Sequence, residues 1–472
     1  MTSSADLDPF APVRARIGAL IAQGRVPSIA VAVARDGGIL WQEGFGLADA
    51  KRGIRASGHT AYSLASITKP ITATAVMVLR EAGLIDIDAP IERYLGVGVT
   101  SYAGCISGVT ARRIMAHSAG LPQFGQLHLD GTEPAEARET IERYAMTVFP
   151  PGTRFEYSNI GMRLLDAAIE RVSGGSFGEY LRRTIFEPLG MRHSALGRPP
   201  GAAAAVRHDA AGKAMPFYLT SHPGSGDVWA SAHDMARFLL FHMGTPLPDQ
   251  QPILRRETVL DMQRAASAAP MPGPPGGPRR DVGAGWILSK VGGHKQVWHS
   301  GGQPGASSYM GFYPDQRVAM VILVNGSAPI GEISRAIMEV VAPEIAPRWR
   351  AGPIPAASLI PFRGRWTGTL SSHCGTQTLA LSFEADGGVA VQLANQPGTM
   401  LAEAAFGDGA LTGQFAATSD LPDAVGHDHR FALKLVPVDG ALVGQAIATA
   451  INDRIAFMLP GFVRLRPAGE ER

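Results

Sequence analysis

Cysteine is almost missing: the 472-residue chain carries two, Cys105 and Cys374. Two thiols so far apart rule out a disulfide-stapled scaffold and are too few for a cysteine zinc site. A bridge between them stays open but is not expected. Charge of one sign is missing as well. A net charge of +2 removes the electrostatic case for a nucleic-acid partner or an anionic membrane surface. No apolar run reaches the roughly 20 residues that a membrane span needs. The start, Met1-Thr2-Ser3-Ser4-Ala5-Asp6-Leu7-Asp8, lacks a basic stretch leading into an apolar one. No signal peptide is therefore expected, and a cytoplasmic protein is the default. No internal repeat is found. Lysine is scarce too, present only at Lys51, Lys69, Lys213, Lys290, Lys295 and Lys434 among 43 lysines and arginines.

What remains is a well-packed composition, 45% hydrophobic and 18% charged, in a chain too long for one ordinary core. Residues 9–23 carry apolar positions at helical spacing. Ser28 to Ala34 and Ile39 to Leu47, joined at Asp36-Gly37-Gly38, read as a hairpin. Thr110 can cap a short helix that stops at Gly120, and 134–147 is helical in character. Ser231 with Asp234 looks like a capping box for a helix through His242. Residues 270–278 are proline- and glycine-rich and read as an exposed loop. Strands are expected at 283–289, 296–300, 308–313 and 318–324, then a helix at 330–341. Ala342 to Pro361 holds five prolines and reads as a linker. Beyond it, alternating residues such as Leu379, Leu381 and Phe383 are broken by Asp386-Gly387-Gly388. That pattern predicts an up-and-down barrel or sandwich of about 110 residues. The expected fold class is α+β, an antiparallel sheet flanked by helices, plus a small all-β C-terminal barrel. The expected boundaries are 1–345, a linker at 346–361, and 362–472.

One stretch organises the chemistry: Tyr62-Ser63-Leu64-Ala65-Ser66-Ile67-Thr68-Lys69-Pro70. A loop runs into an apolar helix there, and a serine and a lysine three apart share one helix face about 5–6 Å apart. Pro70 fits a first helical turn, where its missing N–H has no partner to lose. A serine attacking a carbonyl needs a base and donors for the oxyanion, and a helix N-terminus supplies both here. Two further segments stand out. Tyr157-Ser158-Asn159 is delivered by the turn Pro150-Pro151-Gly152, and His299-Ser300-Gly301-Gly302 is a glycine-rich strand end.

Taken together these segments resemble the penicillin-recognising serine hydrolases, in the branch of class C β-lactamases, D-stereospecific peptidases and related esterases. The resemblance runs from about residue 10 to 341. It also takes in His117-Ser118-Ala119-Gly120-Leu121, Pro151 to Asn159 and Pro188-Leu189-Gly190-Met191. Gly364-Arg365-Trp366-Thr367-Gly368 resembles the start of the lipocalin-like barrels appended to some of these peptidases. The resemblance implies a serine β-lactamase-like fold with its site between a sheet edge and a helical subdomain. It implies Ser66 as nucleophile, Lys69 as proton acceptor and Tyr157 as the phenol that relays the proton. Asn159 would donate to substrate or orient Lys69. His299, Ser300, Gly301 and Gly302 would bind substrate, with the N–H groups of Ser66 and Gly302 as oxyanion hole. Gly301 would let the strand approach substrate.

One departure matters: β-lactam-active members mostly carry Lys-Thr-Gly where this chain has His299-Ser300-Gly301. A histidine is the weaker anchor for a carboxylate at neutral pH. The expected activity is thus a serine hydrolase forming an acyl-enzyme from an amide or ester in a small or short peptide substrate. It needs no cofactor or metal, and self-association stays open. The alternatives are a β-lactamase, an acyltransferase using the same site, and a non-catalytic ligand-binding protein. His117 reads as structural, and His222, His233 and His242 lack ligand spacing for a metal.

Overall fold

The strand Ser28–Arg35 reads Ser-Ile-Ala-Val-Ala-Val-Ala-Arg, and its first seven residues are buried. Its two faces differ in size. Ile29, Val31 and Val33 pack with Val13 and Ile17 of the helix Ala11–Ala22 and with Ile333 and Ile337 of the helix Ile330–Val341. Ala30, Ala32 and Ala34 share the opposite core with Leu239 and Leu240 of the helix Ala232–Met243. The alanines let that helix lie close, and helices on both faces explain why the strand is apolar throughout. Neighbouring strands Gly38–Asp49 and Val318–Val324 flank it in an eight-stranded antiparallel sheet.

The computed structural model describes residues 8–24, 26–129, 132–197, 204–273, 279–345, 360–451 and 456–469. The expected linker falls largely outside them, as do residues 274–278 of the 270–278 loop. The base of that loop is closed by reciprocal backbone bonds between Met271 and Arg280. Among the described residues no helix is long and apolar enough to cross a membrane.

The expected strand at 283–289 is shifted. Residues 283–286 form a turn, with Gly283 N bonded to Trp286 O, and the strand runs Ile287–Val291. Gly285 stands at φ +76°, and a Cβ there would come 2.8 Å from Ala73 Cβ and 3.1 Å from Lys69 O. Only glycine lets this turn back onto the helix that carries Lys69. The helix expected at 134–147 is confined to Ala137–Tyr144, because Met146–Thr147 pairs instead with Thr100–Ser101. The short helix Ala111–Met115 begins at Thr110, as its capping oxygen predicts. It ends before His117, which takes a left-handed φ of 53°. Ser231 caps its helix, but Asp234 does not close a capping box. Its carboxylate accepts from His193 N and Ser194 Oγ instead.

The C-terminal strands follow one another up and down from Gly364–Ser372 to Ala456–Pro467, which pairs back onto the first. The barrel is nearly closed, the break lying between Thr399–Met400 and Ala402–Gly407. It is not a separate bead. Its last strand pairs Met458 and Phe457 with Gly125 and Gln126 of the strand Gly125–Leu129, whose other side pairs with Tyr218–Thr220. A Cβ on Gly125 would come 2.9 Å from Met458 Cε, the flexible end of that side chain, so this strand packs directly against the barrel.

Candidate active site

Ser66 lies in a 3₁₀ turn, Ala65–Thr68, that runs directly into the helix Lys69–Glu81 with Pro70 in its first turn. The residue before it, Ala65, has φ +48°, a conformation that costs an alanine about 1–2 kcal/mol. Such strain persists only where surroundings over-determine it. Ser308 Oγ donates to Leu64 O at 2.6 Å, and Leu64 N is bonded to Val228 O. The turn is therefore clamped from two strands, and Ser66 is left partly exposed.

Lys69 Nζ lies 3.1 Å from Ser66 Oγ and 3.2 Å from Ser225 O. Its side chain is fully buried, and among the described residues it forms no ion pair. Burial alone holds its pKa well below the ordinary lysine range. The Ser225 carbonyl sits in the turn Pro223–Gly226, which is fixed on each side. Gly224 N donates to Asp166 Oδ2 at 2.8 Å, Thr72 Oγ1 donates to Gly224 O at 2.6 Å, and Ser225 Oγ bonds His222 Nδ1 at 2.5 Å. Burial raises Asp166 to about 7 despite its partner Arg163, 2.7 Å away.

Tyr157 comes from the loop before the helix Asn159–Ser173, whose N-cap is Ser158. Its ring lies under Lys69 Nζ, 4.7 Å from the centroid. Burial pushes the phenol well above its usual range, and the nearby Ser66 hydroxyl opposes that only in part. The His117 ring packs against Tyr157 in a tilted arrangement, with centroids 4.3 Å apart. Its Nδ1 accepts from Ser158 N and its carbonyl accepts from Glu156 N. The reading of His117 as structural missed this contact. The left-handed backbone that stops the short helix also aims the imidazole at Tyr157, and composition carries no sign of it.

The strand His294–Gln303 brings the glycines. Its first half pairs with Ile287–Val291 as far as Trp298. Among the described residues, only Ala306–Tyr313 pairs with it from His299 onward, so the other backbone edge is left unpaired beside the cleft. His299 lies toward Lys69 but is 4% exposed, and Nδ1 bonds Ser300 O at 2.6 Å. Burial, then the Lys69 charge, lower it to about 3, so it is neutral and cannot hold a carboxylate as a cation. Gly301 serves a purpose other than the expected one. A Cβ there would sit 2.2 Å from Ser308 Oγ, 2.5 Å from Leu64 O and 3.0 Å from Ser66 N. The space a side chain would take is filled by Ser308 and the turn that carries Ser66. Ser300 lies on the exposed side of the strand, while Gly302 lines the cleft beside Ser66. Asn159 also lines it, but its Nδ2 donates to Phe124 O at 2.9 Å and not to Lys69. Its Oδ1 is buried and unpartnered.

The beta-lactamase family model matches residues 13–341. The chain belongs to the beta-lactamase family. Among curated relatives, Protein flp of Staphylococcus aureus (strain MRSA252) is 23% identical over 317 residues, which cover 64% of this chain and 60% of that protein. The chain thus spans about 60% of the length of that relative. Among solved structures, the octameric penicillin-binding protein homologue from Pyrococcus abyssi matches with a TM-score of 0.60 at 22% identity, covering 96% of this chain and 100% of that one. The D-amino acid amidase from Ochrobactrum anthropi SV3 matches with a TM-score of 0.57 at 22% identity, covering 71% of this chain and 99% of that one. These likenesses are of fold.

In this family member the cleft over Ser66, about 230 Å³, is walled partly by the barrel: Ile451, Ala456, Phe457 and Met458 face Ser66, Asn159, Gly302 and Gln303 across it. The barrel is anchored beside Tyr157. Glu156, 6% exposed, accepts from Lys434 Nζ and from Gln445 Nε2 at 2.8 Å, both on barrel strands. Tyr102 stacks on Phe462 at 4.9 Å, and Val148 and Phe149 share an apolar cluster with Val436 and Val443. Cys105 and Cys374 are both free.

Proposed function

We propose that this beta-lactamase-family protein is a serine hydrolase that forms an acyl-enzyme at Ser66 from an amide or ester of a small, peptide-like substrate. The observation that carries the reading is a fully buried lysine, without a carboxylate partner among the described residues, 3.1 Å from a reachable serine hydroxyl. An amine so placed is neutral over a usable pH range and can take the hydroxyl proton. In this reading Ser66 Oγ bonds to the acyl carbon while its proton passes to Lys69. The oxyanion meets backbone N–H groups of Ser66 and Gly302. Tyr157, still protonated at neutral pH, relays a proton to the departing amine or alkoxide. A water then attacks the acyl-enzyme and returns the serine. Lysine and phenol titrate as a coupled set.

Several observations support the substrate class. Leu127, Phe457, Met458 and Ile451 make most of the cleft wall apolar, which favours an uncharged, apolar acyl or amine group. The free backbone edge from His299 to Gln303 offers strand-like hydrogen bonds to a peptide-like chain. The Ochrobactrum protein is a D-amino acid amidase, which is in keeping with small amide substrates. A dedicated β-lactamase is the weaker reading, because His299 offers no cation. The octameric state named for the Pyrococcus homologue makes self-association a reasonable part of this proposal, to be read by light scattering on the purified chain.

The test is covalent labelling. Wild-type protein is expected to be labelled by a fluorophosphonate or a penicillin probe and to cleave p-nitrophenyl esters, and Ser66→Ala to do neither. Undiminished labelling of Ser66→Ala refutes the assignment. Hydrolysis in the presence of competing amines separates a hydrolase, which releases free acid, from an acyltransferase, which releases a new amide.

A further inference from the structure

The cleft over Ser66 does not end at Gly302. A second chamber of about 470 Å³ opens on the far side of the Gly302-Gln303-Pro304 segment, and the two share those residues together with Ile451. Its floor is the turn from Gly305 to Ser307, and its outer wall is the loop carrying Ala214, Met215 and Pro216. The turn is built for close approach. Gly305 stands at φ +73°, and a Cβ there would come 2.8 Å from Met215 Sδ. Tyr218 OH donates to Pro304 O at 2.5 Å, and Gln303 Nε2 donates to Ser63 Oγ at 2.6 Å. The segment joining the chambers is thus held rigid and tied to the strand just before the nucleophile turn.

Ile451 spans the junction and is 67% exposed. A large aliphatic side chain left in solvent at the rim of a catalytic cleft is a candidate contact for something that binds there. The first chamber by itself is smaller than the roughly 300–1,000 Å³ of ordinary ligand pockets, and the two together fall inside that range.

We infer that the natural substrate is an extended peptide-like chain. One unit occupies the Ser66 cleft, and the next, bearing an apolar side chain, lies beyond Gly302–Pro304 in the second chamber between Ile451 and Met215. This rests on the hydrolase reading above and goes beyond it by naming a subsite and the substrate length. The backbone of such a chain would pair with the free strand edge, and main-chain pairing with side-chain pockets on alternate residues is how edge strands read peptides.

The experiment compares single-unit acyl esters or amides with the same compounds extended by one leucine at either end. Extension at one end is expected to raise kcat/KM by about tenfold or more. Ala214→Trp and Ser327→Trp, both at exposed positions lining only the second chamber, are expected to abolish that gain and leave single-unit turnover unchanged. No gain from extension at either end, or a gain that survives both tryptophans, overturns the inference while single-unit cleavage still stands. Absence of any Ser66-dependent cleavage overturns the hydrolase reading itself, and this inference with it.

Discussion

At the scale of the residue, the site depends on two side chains displaced from their ordinary ionisation in opposite directions. Lys69 is held low and Tyr157 high, each first by burial. In the proposed mechanism Lys69 acts as base once it has lost its proton, so kcat/KM should rise as pH climbs through its lowered pKa. In the same mechanism Tyr157 acts while it keeps its proton, so the fall should come only above its usual pKa. A broad plateau from neutral to alkaline pH is expected on an activated ester. In Tyr157→Phe the alkaline limb should move or vanish while the rising limb stays; an unchanged profile would remove Tyr157 from the mechanism. Ala65 offers a separate test. Its left-handed φ suits glycine, so Ala65→Gly should raise stability by up to about 1 kcal/mol. A lower melting temperature would show that the turn carries no such strain.

At the scale of the element, the helix Lys69–Glu81 and the turn Pro223–Gly226 act as one unit, because Lys69 and Thr72 both bond to that turn. Buried titratable groups gather around this unit and beyond. His222, His242 and His299 are each lowered to about 3, chiefly by burial. In the unfolded chain a histidine takes its proton near 6.5. Between roughly pH 6.5 and 3 the unfolded state therefore binds more protons, which costs up to about 1.4 kcal/mol per pH unit per histidine as pH falls. Asp166 and Asp227, raised to about 7 and about 6, oppose this, since the folded state takes up their protons first. Three histidines outweigh two carboxylates, so the melting temperature is expected to fall from pH 7 to pH 4.5 in calorimetry. A flat or rising trend would contradict that balance.

At the scale of the whole molecule, the barrel is part of the site. Lys434 reaches the buried Glu156, one residue before Tyr157. Among the described residues Lys434→Met leaves Gln445 as the side-chain donor to that carboxylate, and should cost about 1–3 kcal/mol after allowing for the partial exposure of the lysine. Activity should fall in kcat more than in KM, because Tyr157 is displaced and not the cleft wall. Glu156→Gln combined with Lys434→Met should recover much of the stability, as no charge is then left buried. If the double variant is no more stable than the single one, the two residues are not coupled. The N-terminal hairpin and the up-and-down course of the barrel were legible, since alternation and glycine turns are local signals; the pairing of Ser28–Arg35 with Val318–Val324 was not. Nor was the pairing of Phe457 with Gln126, because residues more than three hundred positions apart leave no mark on each other's periodicity.

What the sequence determined alone is local: a serine and a lysine one helical turn apart, a proline where a first turn tolerates it, and a barrel announced by alternation and Asp-Gly turns. Those features follow from backbone geometry over a few residues. The tertiary structure alone decided that burial lowers His299, that Gly301 makes room for the turn carrying Ser66, and that the barrel walls the cleft. Each of these depends on which distant atoms exclude water from a group or fill the space beside it, and burial is a property of the assembled fold.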